Sequence, residues 1–223
     1  VATTISASWP NGTWLPAVLP DGPGPVWVGT PLRVHRRCDQ PIFAISNRIA
    51  YDGLMVYGTS PRDPFRGHDV WYDVRSAVAS GHWIPAEGQA LREVLDNLNR
   101  AGVSPGQIRV LSPFRQVVAG AQNVYSTVFP EAGRRDHDTW GGTVHTMQGK
   151  EADVIILVLG THPDRSGPRI WVAATPNLLN VAVSRARRRL YVIGNREAWR
   201  RLKYFDTLAE ALPIWPPDNA RLP

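Results

Sequence analysis

Apolar positions along this chain switch repeatedly between helical and strand spacing. Ile42, Ile45 and Ile49 recur at helical intervals, which predicts a helix over 39–51 that stops at Asp52-Gly53. Residues 58–68, with two Pro and two Gly, read as a loop, and Val70–Val74 as a strand. Leu91, Val94, Leu95 and Leu98 mark an amphipathic helix over about 86–101, closed by Gly102. The alternation continues with a strand at 108–111, a helix at 114–129 and a short strand at 142–144. Val154–Leu159 is an unbroken apolar run of strand length. A helix at 176–187, a strand at 190–193 and one or two helices over 196–212 complete the pattern.

Strands that alternate with helices, one of them apolar on both faces, predict an α/β fold: a parallel sheet with helices on both faces. Residues 1–31 are rich in Pro, Gly and Trp without a sustained period. They read as an irregular lead-in with one short strand at Val26–Val28. The domain is expected over 32–215, with 216–223 as a tail. In parallel sheets ligands gather at the carboxyl ends of strands, so residues just after each strand are the first to question.

Composition narrows the class. Hydrophobic residues make up 43% and charged residues 20%, a globular balance. The net charge is +6, and 23 of the 25 basic residues are Arg. Arg presents a planar, permanently charged fork suited to phosphate, so the balance leans toward nucleotide or nucleic-acid partners. A high-GC genome would produce the same bias. Cys38 is the single cysteine, so no internal disulfide can form, which fits a reducing, cytoplasmic compartment. The six His and one Cys show no zinc-ligand spacing, and no metal site is expected. No run of 18 apolar residues exists to span a membrane. The chain begins at Val1 with no signal segment, and reads as a piece of a longer protein. Among the nine Trp, Trp27, Trp71 and Trp171 sit in apolar company and are expected in the core; none is assigned to base stacking.

Two stretches carry chemistry. Thr143-Val-His-Thr-Met-Gln-Gly-Lys-Glu151-Ala-Asp153 lies between two strands, and the turn at Gly149 gathers Gln148, Lys150 and Glu151. Amides, an ammonium and a carboxylate there suit a polyanion bearing sugar hydroxyls; a solvated loop is the equal alternative. The second stretch is the predicted helix Asn177–Arg187 with Arg188 and Arg189 beyond it. On a helical wheel Leu178, Leu179, Ala182, Val183 and Ala186 share one face, Asn180, Ser184 and Arg188 lie opposite, and Arg185 falls on the border. The helix dipole accounts for Arg188 and Arg189, but does not require an arginine at the apolar border.

Together these stretches resemble motifs V and VI of superfamily 1 helicases, most closely the Upf1/Dna2-like branch. Leu32-Arg-Val-His-Arg-Arg37-Cys38 is similar to the motif IIIa region, and Val110-Leu-Ser112-Pro-Phe-Arg-Gln116 to motif IV. The resemblance covers residues 32 to about 205 and implies the second of two RecA-like lobes. In that family ATP binds between the lobes and single-stranded nucleic acid crosses their tops. Arg185 is then implied as the arginine finger and Arg37 as a second cation at the γ-phosphate, with Arg36 adjacent to it. Glu151 would meet the ribose or phosphates, and Gly149 would permit close approach. Ser112 and Thr143 are implied as nucleic-acid backbone contacts, with Gln116 and His145 as weaker structural or rim residues. The ATP-bound Mg²⁺ would be held by the first lobe, whose phosphate-loop motif Gly-x-x-x-x-Gly-Lys-Ser/Thr does not occur in this sequence. The partners implied are that N-terminal lobe and single-stranded nucleic acid, DNA ahead of RNA, with 5′ to 3′ polarity.

Two rival readings remain. One is a catalytically inactive module that grips nucleic acid or protein. The other is an unrelated Rossmann-like enzyme, which would need a Gly-rich strand–turn–helix that residues 1–60 do not show.

Overall fold

A computed structural model describes residues 12–19, 22–29, 34–135, 140–147 and 149–216. The chain divides into two units, Val1–Val34 and His35–Pro223. In the first, strand β1 (Gly12–Leu19) pairs antiparallel with β2 (Gly22–Gly29) along their whole length. The sequence pattern offered only Val26–Val28 here, so the irregular lead-in is corrected to a hairpin between residues 12 and 29. Backbone pairing needs no apolar alternation, and Pro and Gly mask it. The rest of the lead-in, residues 1–11, 20, 21 and 30–33, lies outside the described residues, as do 217–223 of the expected tail.

Next in the chain is β3 (Val34–His35), which pairs with β4 (Val56–Tyr57), with helix α1 (Ile42–Ala50) between them in sequence. There follow β5 (Val70–Asp73), α2 (Pro85–Arg100), β6 (Ile108–Ser112), α3 (Arg115–Val128), α4 (Pro130–Arg135), β7 (Gly141–Thr143) and β8 (Ala152–Val158). Next come α5 (Ser166–Val172), α6 (Pro176–Ser184), β9 (Ala186–Gly194), α7 (Arg196–Trp199), α8 (Phe205–Ala211) and β10 (Ile214–Trp215). The main sheet has the order β10-β5-β9-β8-β6-β7, and every neighbouring pair is parallel.

Handedness then distributes the helices. The crossovers β5–α2–β6 and β6–α3–β7 step one way across the sheet, whereas β8–α6–β9 and β9–α8–β10 step the other way. Right-handed crossovers therefore place α2 and α3 on one face and α6 and α8 on the other. The packing agrees: α2 lies against α3, and α1 against α6 and α8. The sheet is thus covered on both faces, the α/β, RecA-like arrangement expected. Ile155, Ile156, Leu157 and Val158 of β8 are all at most 1% exposed, which is why that strand carries apolar residues at consecutive positions.

The helix expected over 176–187 ends at Ser184. From Ala186 onward the backbone is taken into β9, with Ala186 opposite Ala152 of β8. Pairing with a central strand overrides the local helical period, so Arg187, Arg188 and Arg189 stand on a strand and not on a helix face. Helix α5 was not anticipated.

Candidate nucleotide and nucleic-acid site

Arg185 is the C-cap residue of α6, in the single step between helix and strand. Its carbonyl accepts the Ala152 amide at 3.2 Å, which places it beside Glu151 at the amino end of β8. Arg37 is the second residue after β3. Its Nε lies 3.1 Å from Glu151 Oε2, and its Nη1 donates to the Ser184 carbonyl at 3.4 Å. The fold therefore brings Arg37 together with Glu151 and Arg185, both more than a hundred residues further along the chain, in one cluster at the amino ends of β8 and β9. The carboxyl-end rule does not locate these three.

The electrostatics follow from that arrangement. Burial lowers the Arg185 pKa, the neighbouring Arg37 charge lowers it further, and Glu151 and Cys38 oppose the shift. Its Nε is buried and meets no acceptor among the described residues. Such a donor is what an incoming oxyanion would satisfy. The Arg37 loop is held by His35, whose Nε2 accepts the Cys38 amide at 3.0 Å. Burial and Arg37 lower the His35 pKa, so the ring favours the neutral form that this acceptor role needs. The Cys38 thiol is fully buried, and burial pushes it up to about 12; it packs and does not react. Arg36 is exposed, and it is Arg37 that pairs with Glu151.

Gly149 has φ +87°, and a Cβ there would meet nothing within 4 Å. The glycine thus serves the turn and leaves open space beside Glu151. Gln148 lies outside the described residues.

The expected nucleic-acid contacts lie at the opposite, carboxyl ends of the strands. Ser112 of β6 is level with Thr143 of β7. Ser112, however, is only 1% exposed, and its hydroxyl accepts the Phe114 amide at 3.2 Å. It shapes the turn after β6 and is not a surface contact, a correction to the sequence expectation. Thr143 is half-buried, and its hydroxyl faces Thr146 at 3.2 Å. Gln116 is exposed, and its Oε1 accepts the His82 amide at 2.8 Å. His145 is exposed and lines a groove of about 530 Å³ with Trp171, Thr175, Asn177 and Leu178. Trp171 is 55% exposed, so the expectation of a core residue fails for it, whereas Trp71 is fully buried. The Trp27 side chain lies outside the described residues.

Arg188 also departs from expectation. Its side chain is 14% exposed, pairs with Asp39 at 2.8 Å, donates to the Asp63 carbonyl and lies over the Phe65 ring. Sequence reasoning missed Asp39 altogether, because nothing local distinguishes it from any other loop carboxylate.

The AAA domain family model matches residues 28–197, well over half of the chain. The chain belongs to that family. This AAA domain is 28% identical over 190 residues to the DNA polymerase alpha-associated DNA helicase A of Saccharomyces cerevisiae, a match covering 79% of the chain and 26% of the yeast protein. It is 29% identical over 130 residues to the helicase required for RNAi-mediated heterochromatin assembly 1 of Schizosaccharomyces pombe, covering 58% of the chain and 12% of that protein. It is 24% identical over 186 residues to regulator of nonsense transcripts 1 of Caenorhabditis elegans, covering 76% and 17%. The resemblance to Upf1/Dna2-like superfamily 1 helicases is thereby shown, and the AAA domain is homologous to about a quarter or less of each relative. Among the described residues, no three His, Cys, Asp or Glu side chains form a metal-capable group, and no helix is long and apolar enough to cross a membrane.

Proposed function

We propose that this AAA domain is the second RecA-like motor lobe of an ATP-dependent helicase and supplies the arginine finger, Arg185. The observation that carries the reading is the cluster of Arg37, Glu151 and Arg185, with the buried Arg185 Nε lacking an acceptor among the described residues. A buried guanidinium donor beside a second cation fits a triphosphate in its chemistry. ATP, when bound, supplies the phosphoryl group to be transferred. Arg185 and Arg37 are then fixed cations that stabilise charge as it develops there, an effect worth roughly 10³–10⁵ in rate in comparable NTPases. Glu151 orients Arg37 and keeps the two guanidinium groups from repelling each other unopposed. The phosphate loop and Mg²⁺ ligands belong, in this reading, to a first lobe, since these 223 residues contain no phosphate-loop motif.

Thr143 is proposed as a backbone contact for single-stranded nucleic acid, DNA ahead of RNA, at the carboxyl edge of the sheet. Ser112 acts one step removed, by shaping the turn behind it.

The test is Arg185→Ala in the protein that carries both lobes. Strand-stimulated turnover should fall by about 10³ or more, with single-strand affinity changed by no more than about twofold, because the cation acts on charge that appears only in the transition state. Unchanged turnover would sink the arginine-finger reading and favour a binding module without catalysis.

A further inference from the structure

We propose that the Trp171 indole is a stacking platform for one base of the single strand, a role that rests on the nucleic-acid reading above. Four other tryptophans with described side chains are accounted for by packing. Trp71 and Trp199 are fully buried, Trp140 is 4% exposed, and Trp83 is wedged against Gly88 and Gly120, where an added Cβ would come within 2.5 Å of its ring. Trp215 is 45% exposed, but its ring sits against Tyr72 on the far edge strand of the sheet. Trp171 is the most exposed of the six, at 55%, and it alone of them faces the groove that begins just after Thr143.

The platform is braced. Helix α5 is pinned by Arg169, itself 6% exposed, whose guanidinium donates to the His162 and Pro163 carbonyls at 2.8 and 2.7 Å. The Trp171 ring is 6.4 Å from Phe114, and Phe114 stacks on His82 at 4.2 Å with planes 6° apart. With these neighbours the indole still leaves more than half of its surface to solvent. The same groove presents His145, Thr175 and Asn177, all exposed hydrogen-bonding groups suited to a base edge. Arg115 stands exposed beside Phe114, and Arg165 is close enough to His82 to lower its pKa, after burial, the larger cause. A flat apolar surface, a polar rim and nearby cations match a stacked nucleotide with its phosphate, and every base offers a π-face. A purely apolar partner would leave the groove's polar groups unpaired.

The test uses the 223-residue chain, a labelled oligothymidylate and an abasic sugar–phosphate strand of equal length, at low salt. Trp171→Ala should weaken oligothymidylate binding about 5- to 150-fold, Trp171→Phe should restore most of it, and abasic-strand affinity should be the same in all three proteins. Unchanged oligothymidylate affinity in Trp171→Ala, with the wild-type chain binding, overturns the platform and leaves the indole to a protein partner. Equal losses on both strands, or a Phe variant as weak as Ala, overturn stacking in favour of a structural role. A wild-type chain that binds neither strand removes the nucleic-acid reading itself, and the platform with it.

Discussion

Arg188 and Asp39 form a 2.8 Å ion pair between the start of β9 and the loop that carries Arg37. The Asp39 amide also donates to the Arg187 carbonyl at 2.9 Å, and Arg62 approaches the same carboxylate at 3.7 Å. The arginine run after Ser184 is therefore divided in its work. Arg185 faces the Glu151 cluster, whereas Arg188 anchors the loop two residues beyond Arg37.

Arg188→Ala should accordingly destabilise the fold by about 1–3 kcal/mol, because the largely buried Asp39 keeps only the more distant Arg62 and the contact over Phe65 is lost. Urea unfolding monitored by tryptophan fluorescence measures this. A change within about 0.5 kcal/mol would return Arg188 to an ordinary solvated position.

The Arg37–Glu151 pair should behave differently. Both side chains are more than a third exposed, so the pair adds little stability in solvent. Glu151→Gln is expected to shift unfolding by less than about 1 kcal/mol while lowering nucleotide turnover in the two-lobe protein, because Arg37 loses the carboxylate that orients it. A stability loss as large as that of Arg188→Ala, with turnover intact, would make the pair structural.

Glu87 predicts a pH dependence unrelated to the nucleotide cluster. It is 2% exposed, its Oε2 accepts the Gly160 amide at 2.8 Å, and burial raises its pKa from 4.5 to about 8 against the lowering effect of that bond. The folded state thus holds a proton that the unfolded chain releases near 4.5. The resulting stability is fully present below that value and is lost as pH rises through about 8. The urea midpoint of the wild-type chain should therefore decline between about pH 5 and pH 9. Glu87→Gln, whose amide oxygen can still accept from Gly160, should flatten the curve. An equally steep decline in the variant would rule Glu87 out as its source.

Much of this protein follows from local sequence. Consecutive apolar residues from Val154 to Leu159, over the length of a strand, suit a strand buried on both faces, and the spacing of Leu91, Val94, Leu95 and Leu98 suits a helix lying on one face. Those patterns are local consequences of side-chain period and burial, and they led to a parallel sheet with two helical layers. Arg37, Glu151 and Arg185 could be singled out before any geometry was known, by the resemblance to superfamily 1 helicase motifs and not by period or burial.

Tertiary structure decided the rest, because the deciding interactions join distant segments. The helical period continues through Ala186, yet the chain leaves the helix at Ser184 because β8 offers Ala186 a strand partner. That switch turns Arg188 from an exposed helical residue into the partner of Asp39. Ser112 carries the right hydroxyl at the right strand end, but packing around β6 buries it and the Phe114 amide occupies it. Trp171 has apolar neighbours in sequence, yet its short helix is held down by Arg169 and leaves the indole at the mouth of a groove. Side-chain period determines which face of an element is apolar, but only the packing of one segment against another determines which residues remain open to a ligand.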